Sequence, residues 1–132
     1  MTNDPRTLHP TNLVDENAVV IFTYTQGTLT RRDLDTKKSI PLLVEALPEI
    51  SRDGLRYTYT IREGVKWDDG SPLTAADVLF TLKAIKSPLT DNVHKSTYFN
   101  IKGLEIDSAN PRRFTMVAKT IHFKNPYVFD EL

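Results

Sequence analysis

Between Gly54 and Gly64 the order of residues leaves little choice of conformation. Arg56-Tyr57-Thr58-Tyr59-Thr60-Ile61-Arg62 alternates strictly. On an extended backbone this puts Tyr57, Tyr59 and Ile61 on one face and Arg56, Thr58, Thr60 and Arg62 on the other. Glu49-Ile50-Ser51 precedes it across Arg52-Asp53-Gly54, a turn in which glycine supplies the positive φ. The pattern predicts a hairpin with one buried face. Glu63-Gly64 breaks the strand, and Val65-Lys66-Trp67 is expected to add a short one ending at Asp68-Asp69-Gly70.

A helix start follows. In Ser71-Pro72-Leu73-Thr74-Ala75-Ala76-Asp77, Thr74 is the expected N-cap. Asp77, three residues on, can reach back to it while its charge suits the positive helix end. The spacing predicts a helix from Ala75 to about Lys86, stopped before Pro88. Ala75, Val78, Leu79, Leu82 and Ile85 fall on one stripe, and Phe80 and Ala84 on the opposite side. Beyond it, Tyr98 to Asp107 reads as a strand with a phase change, since Phe99 and Ile101 are odd-numbered and Leu104 and Ile106 even. A bulge at Gly103 would restore one face. Asn110-Pro111 turns the chain, and Arg113 to Thr120 returns with Phe114, Met116 and Ala118 inward.

The remaining segments are read more coarsely. Asp4 to Pro10 is expected to be extended. Ala18 to Tyr24 is expected to form a short helix, capped by Asp15 or Asn17, ended by Gly27 and buried on all sides because its apolar residues surround it. Thr30 to Lys38 alternates in charge, as in a solvated strand and turn. Pro41, Leu42, Leu43 and Ala46 suggest a brief helical turn stopped by Pro48. The fold class expected is α+β: antiparallel hairpins with one main helix.

Composition narrows function by exclusion. The 132 residues carry 17 Lys+Arg and 17 Asp+Glu, a net charge of zero, which argues against nucleic acid or an anionic membrane as partner. With no cysteine, thiolate metal sites and cysteine nucleophiles are out, and the redox compartment stays open. The opening Met1-Thr2-Asn3-Asp4-Pro5 has no basic stretch followed by an apolar one, so no secretory signal is expected in this sequence. Asp68 and Asp69 point to opposite faces if extended, and turn chemistry is the favoured reading over acid–base work. His9, His94 and His122 are far apart in sequence and form no metal-binding pair on a helix. There is no G-x-S-x-G and no phosphate-cradling glycine loop. Trp67, Tyr57 and Tyr59 are expected to pack in the core, whereas Tyr24, Tyr98 and Phe99 border segment ends where side chains can face a cleft. No catalytic machinery and no cofactor are expected.

The run from Asp53-Gly54-Leu55-Arg56-Tyr57-Thr58 through Arg62-Glu63-Gly64-Val65-Lys66-Trp67-Asp68-Asp69-Gly70 to Pro72-Leu73-Thr74-Ala75-Ala76-Asp77-Val78-Leu79-Phe80 closely resembles a known signature. It is that of the family 5 extracellular solute-binding proteins, the peptide- and oligopeptide-binding receptors of ABC importers. Asp4-Pro5-Arg6-Thr7-Leu8-His9-Pro10 is similar to that family's D-P-x-x-L-D-P opening, with His9 where Asp is usual. Pro41-Leu42-Leu43-Val44-Glu45-Ala46 is similar to its P-x-L-A-E-x, and Tyr24-Thr25-Gln26-Gly27-Thr28-Leu29 loosely to its Y-E-G-L.

The resemblance implies part of the first lobe of a two-lobed periplasmic-binding-protein fold, from a chain several times longer. Residues 1–40 would start that lobe and residues 41–132 would form its inserted α+β subdomain. It further implies an extracytoplasmic receptor, in the periplasm or anchored as a lipoprotein, that captures a peptide without covalent chemistry and passes it to an ABC permease. Nickel chelates or oligosaccharides are alternative cargoes. Tyr24, Thr25, Gln26, Tyr98 and Phe99 are the ligand-binding candidates, and the firmest contacts are expected on the absent second lobe. Phe80 and the aromatic tail after His122 would then pack against the remainder of the same protein. Two readings from other classes are a partner-docking module and a hydrolase using Asp68 or Asp69 with His94.

Overall fold

Strand β4 (Arg56–Thr60) organises a computed structural model that describes residues 4, 7, 9, 16–90, 92 and 95–130, apart from the side chains at 127 and 130. The expected alternation appears in it: Tyr57 and Tyr59 are buried while Arg56, Thr58 and Thr60 are half-buried. β3 (Glu49–Ile50) pairs with it across the Gly54 turn, where φ is +69°. On its other edge β4 pairs with β6 (Arg113–Ala118), which pairs in turn with β5 (Ile101–Ile106). The result is an antiparallel four-stranded sheet in the order β3-β4-β6-β5.

Register joins like to like on each face. Tyr59 lies opposite Phe114, and their rings stack with centroids 5.5 Å apart, while Tyr57 lies opposite Met116. On the other face the hydroxyls of Thr58 and Thr115 share a hydrogen bond of 2.9 Å. Arg56 there pairs with Glu105, and Arg113 reaches Glu49 at 3.3 Å. Cross-strand pairs of this kind stabilise a sheet by a few tenths of a kcal/mol to about 1 kcal/mol each.

Helix α2 (Ala75–Lys86) covers the apolar face, burying Ala75, Val78, Leu82 and Ile85. Its start is fixed as the sequence predicts: the Thr74 N–H donates to Asp77 Oδ2 at 2.7 Å, and the Thr74 hydroxyl donates to the same oxygen at 3.0 Å. Phe80, on the far side, is 73% exposed.

Several expectations change. The first helix, α1 (Glu16–Thr25), forms, but Ala18 is its buried residue while Val19, Val20 and Tyr24 face solvent. Surrounding a helix with apolar residues does not bury it unless a neighbour is present on each side. Asn17 falls inside this helix, and Asp15 lies outside the described residues, as does most of the extended entry segment.

No helical turn forms at Leu42 to Ala46. Instead β2 (Ser39–Pro41), the partner of β1 (Thr30–Arg32), runs on so that the Leu42 and Leu43 N–H groups meet the Leu29 carbonyl, each at 3.1 Å. The Glu45 N–H then donates to the Thr60 carbonyl at 2.9 Å. Tertiary hydrogen bonds outbid the weak local signal, and they bring Leu29 and Val44 into the same core as the large sheet.

Val65 to Trp67 contributes one bridge, Lys66 to Pro72, rather than a strand, and Trp67 is exposed instead of packed. The strand expected from Tyr98 starts later, because Lys95–Tyr98 forms a 3₁₀ turn. The register shifts between Ile101 and Gly103, at the glycine where the phase change places a bulge. This shift returns Ile101, Leu104 and Ile106 to register positions opposite Ala118, Met116 and Phe114, but leaves Phe99 outside. The aromatic tail divides too. It forms α3 (Asn125–Asp130), whose Phe129 is buried edge-on against Tyr57 at 4.8 Å, while Ile121 and Phe123 stay exposed.

Candidate functional site

Where β5 begins and β6 ends, two segments distant in sequence are fastened together by amide side chains. Asn100 Nδ2 donates to the Thr120 carbonyl at 2.9 Å and to Asn125 Oδ1 at 2.6 Å. Its Oδ1 accepts the Thr120 N–H at 3.1 Å and the Thr120 hydroxyl at 2.9 Å. Asn125, itself buried, returns a bond from Nδ2 to the Thr120 carbonyl at 3.0 Å. Each polar group of the clasp has a partner, which makes it rigid and makes any break in it costly.

Above this clasp opens a cleft of about 500 Å³ between the 3₁₀ turn, the end of β6 and the start of α3. Phe99, 72% exposed, forms part of its wall, and Lys119 Nζ sits 3.7 Å from the centre of that ring. His122 stacks on Phe123 at 4.7 Å, and Lys124 Nζ lies 5.8 Å from the centre of the same ring. Nearby, Lys86 Nζ donates to the Ile101 carbonyl at 2.6 Å. Its pKa is held below the usual lysine value, first by burial and then by repulsion from Lys119.

The candidates from sequence separate in this structure. Phe99 lines the cleft; the adjacent Tyr98 turns away and packs against the core. Tyr24, Thr25 and Gln26 lie at the end of α1 and do not line it. Tyr24 is 87% exposed, the Thr25 hydroxyl donates to the Ile21 carbonyl at 3.0 Å, and the Gln26 N–H donates to the Phe22 carbonyl at 2.9 Å. Asn100, Lys119, Thr120 and Asn125 escaped sequence reasoning. The interleaving of cation and ring in Lys119-Thr120-Ile121-His122-Phe123-Lys124 was the available signal.

Asp69 serves the turn assigned to it. Its Oδ1 accepts the Ser71 hydroxyl at 2.6 Å and the Ser71 N–H at 2.9 Å, which hold the carboxyl below its ordinary pKa, and Gly70 takes φ +86° beside it. His94, the partner required by the hydrolase reading, lies outside the described residues. Among the described residues, no three His, Asp or Glu side chains come together as a metal-binding group, and no helix is long and apolar enough to cross a membrane.

The middle-region profile of the bacterial extracellular solute-binding proteins, family 5, matches residues 38–131. The chain belongs to this family. As a family 5 solute-binding protein it is 33% identical over 102 residues to the oligopeptide-binding protein OppA of Bacillus subtilis, a span of 77% of this chain and 18% of that protein. The solved structure of AppA from Bacillus subtilis in complex with a nonapeptide superposes with a TM-score of 0.76 at 26% identity, covering 89% of this chain and 23% of that one. NikZ from Campylobacter jejuni in complex with Ni(L-His) gives 0.81 at 26% identity, covering 97% and 25%. The chain therefore spans a quarter or less of each of these three proteins. The profile takes in the whole four-stranded sheet with α2 and α3, whereas α1 and β1 precede it.

Proposed function

We propose that this chain is part of the first lobe of a two-lobed receptor that captures peptides outside the cytoplasm for an ABC permease. Residues 1–40 begin that lobe and residues 41–132 build its α+β subdomain. The observation that carries this reading is the match to OppA over 77% of the chain together with the fold shared with peptide-bound AppA. Binding is by enclosure: backbone groups and a few side chains grip the solute as the lobes close, and no covalent step occurs. Phe99 in the cleft, and Tyr24, Thr25 and Gln26 at the end of α1, are this lobe's contributions, and the second lobe supplies the firmer contacts. The receptor sits in the periplasm or is held at the membrane as a lipoprotein. The fold shared with NikZ supports a second reading in which the same receptor carries a nickel chelate.

Isothermal titration of the complete receptor with short peptides tests the proposal. One peptide per receptor is expected to bind, and Phe99→Ala is expected to weaken binding about tenfold with the melting temperature unchanged, since removing an exposed ring from a contact is a loss of roughly 1–2 kcal/mol. Absence of peptide binding together with binding of Ni(L-His) would replace the first reading by the second.

Phe80 gives an independent check on the missing part. A ring so exposed contributes little within this chain, so Phe80→Ser is expected to leave the isolated chain's stability within about 0.5 kcal/mol. In the complete receptor, where the ring is proposed to pack against the rest of the protein, the same change is expected to lower stability by about 2–4 kcal/mol. Equal, small effects in both, read by thermal unfolding, would contradict that packing.

A further inference from the structure

The cleft beside Phe99 carries a charge that the chain as a whole does not. Net charge is zero over 132 residues, yet the described residues lining this cleft include Lys119, Lys124 and His122 and no Asp or Glu. The ion pairs between described residues are Arg56–Glu105, Arg112–Glu45 and Arg113–Glu49, and none involves either lysine. Lys86, whose Nζ donates to the Ile101 carbonyl, lies near enough to feel the charge of Lys119. Two lysine ammonium groups on a lining with no described carboxylate attract an anion.

The walls define the rest of the ligand. Phe99 offers an aromatic face and Val128 an aliphatic one, so a bare ion would leave apolar surface wet. The ring already holds the Lys119 ammonium at 3.7 Å, which fixes the cation at the edge of the apolar wall. The clasp of Asn100, Thr120 and Asn125 keeps the two sides of the cleft in fixed relation.

We infer that this cleft is a subsite for a carboxylate carried on an apolar body, such as an acidic or C-terminal residue of a bound peptide, with Lys119 and Lys124 meeting the carboxylate and Phe99 the apolar part. It deepens the proposed function and rests on that reading for the peptide, though the anion preference can be read without one.

Ligand-observed fluorine NMR on the complete receptor makes the test, with 4-fluorobenzoate as the anionic probe and 4-fluorobenzamide as its neutral counterpart of similar shape. The benzoate is expected to bind at least fivefold more tightly than the benzamide. The double variant Lys119→Gln/Lys124→Gln, both positions being exposed, is expected to abolish that difference, and Lys37→Gln/Lys66→Gln to leave it intact. Equal binding of both probes to the unaltered receptor, or a benzoate preference that survives in the Lys119/Lys124 variant, overturns the inference. A second titration uses peptides differing only by Glu against Gln. If the benzoate preference follows the lysines while no peptide binds, the subsite stands and the peptide reading falls. If peptides bind but neither the benzoate nor the Glu peptide is favoured, the reverse holds.

Discussion

Replacing Phe114 by alanine is expected to lower the stability of the four-stranded sheet by about 3–5 kcal/mol. The ring is fully buried, lies opposite Tyr59 in the ladder and stacks on it at 5.5 Å with the planes 16° apart. Truncation removes the transferred apolar area and leaves a cavity under Tyr59, which is itself fully buried among side chains that cannot all collapse inward. Amide hydrogen exchange at β4 and β6 is the measurement, because local opening of these strands reports on the sheet whether or not the rest of the receptor is present. Phe114→Leu keeps most of the volume and is expected to cost less than half as much. Similar protection in Phe114→Ala and the unaltered chain would mean that the stacked pair is not the centre of the core.

The second large effect is expected at Asn100. Asn100→Asp preserves shape but exchanges the Nδ2 donor for an acceptor. It would then face the Thr120 carbonyl and Asn125 Oδ1, which now accept from it at 2.9 and 2.6 Å. Two attractive contacts become repulsive, and Asn125 is buried where water cannot readily replace the lost bond. A loss of about 2–4 kcal/mol is expected. It should be seen as faster exchange at the Thr120 amide, which donates to Asn100 Oδ1, before the sheet itself loosens. The Asp variant is also expected to weaken any ligand held beside Phe99, since the same clasp sets the cleft's two sides. A Thr120 amide as protected as in the unaltered chain would remove the clasp from the account.

What the sequence discloses about this fold depends on the range of the forces involved. β4 and α2 were legible because their signals are local and agree with one another. The alternation of Arg56 to Arg62 has one consistent solution, and Thr74 with Asp77 closes a cap within a single turn of chain. Leu42 to Ala46 misled because Pro41 suits a helix start as well as a strand end. The choice was made by the Leu29 carbonyl, more than a dozen residues away in sequence. α1 was legible as a helix and illegible as a surface, because exposure depends on which neighbours are present.

The cleft was the least legible part. Phe99 is legible from its position at a segment end, but its neighbours Lys119 and Asn125 come from the far side of a hairpin. The clasp bonding Asn100 to Asn125 spans 25 residues. Nothing in the spacing of either segment announces the other. The register shift between Ile101 and Gly103, by contrast, is legible in the phase change of the apolar residues and in the glycine at its edge.

Native mass spectrometry of the complete receptor, purified without denaturation from its own host, tests most directly the claim that this chain helps to hold a peptide without altering it. A family of bound masses matching intact short peptides is expected, released unchanged on unfolding and exchangeable with added peptide. A receptor that emerges empty and stays so with peptide in excess, or one that returns added peptide cleaved, would contradict that claim.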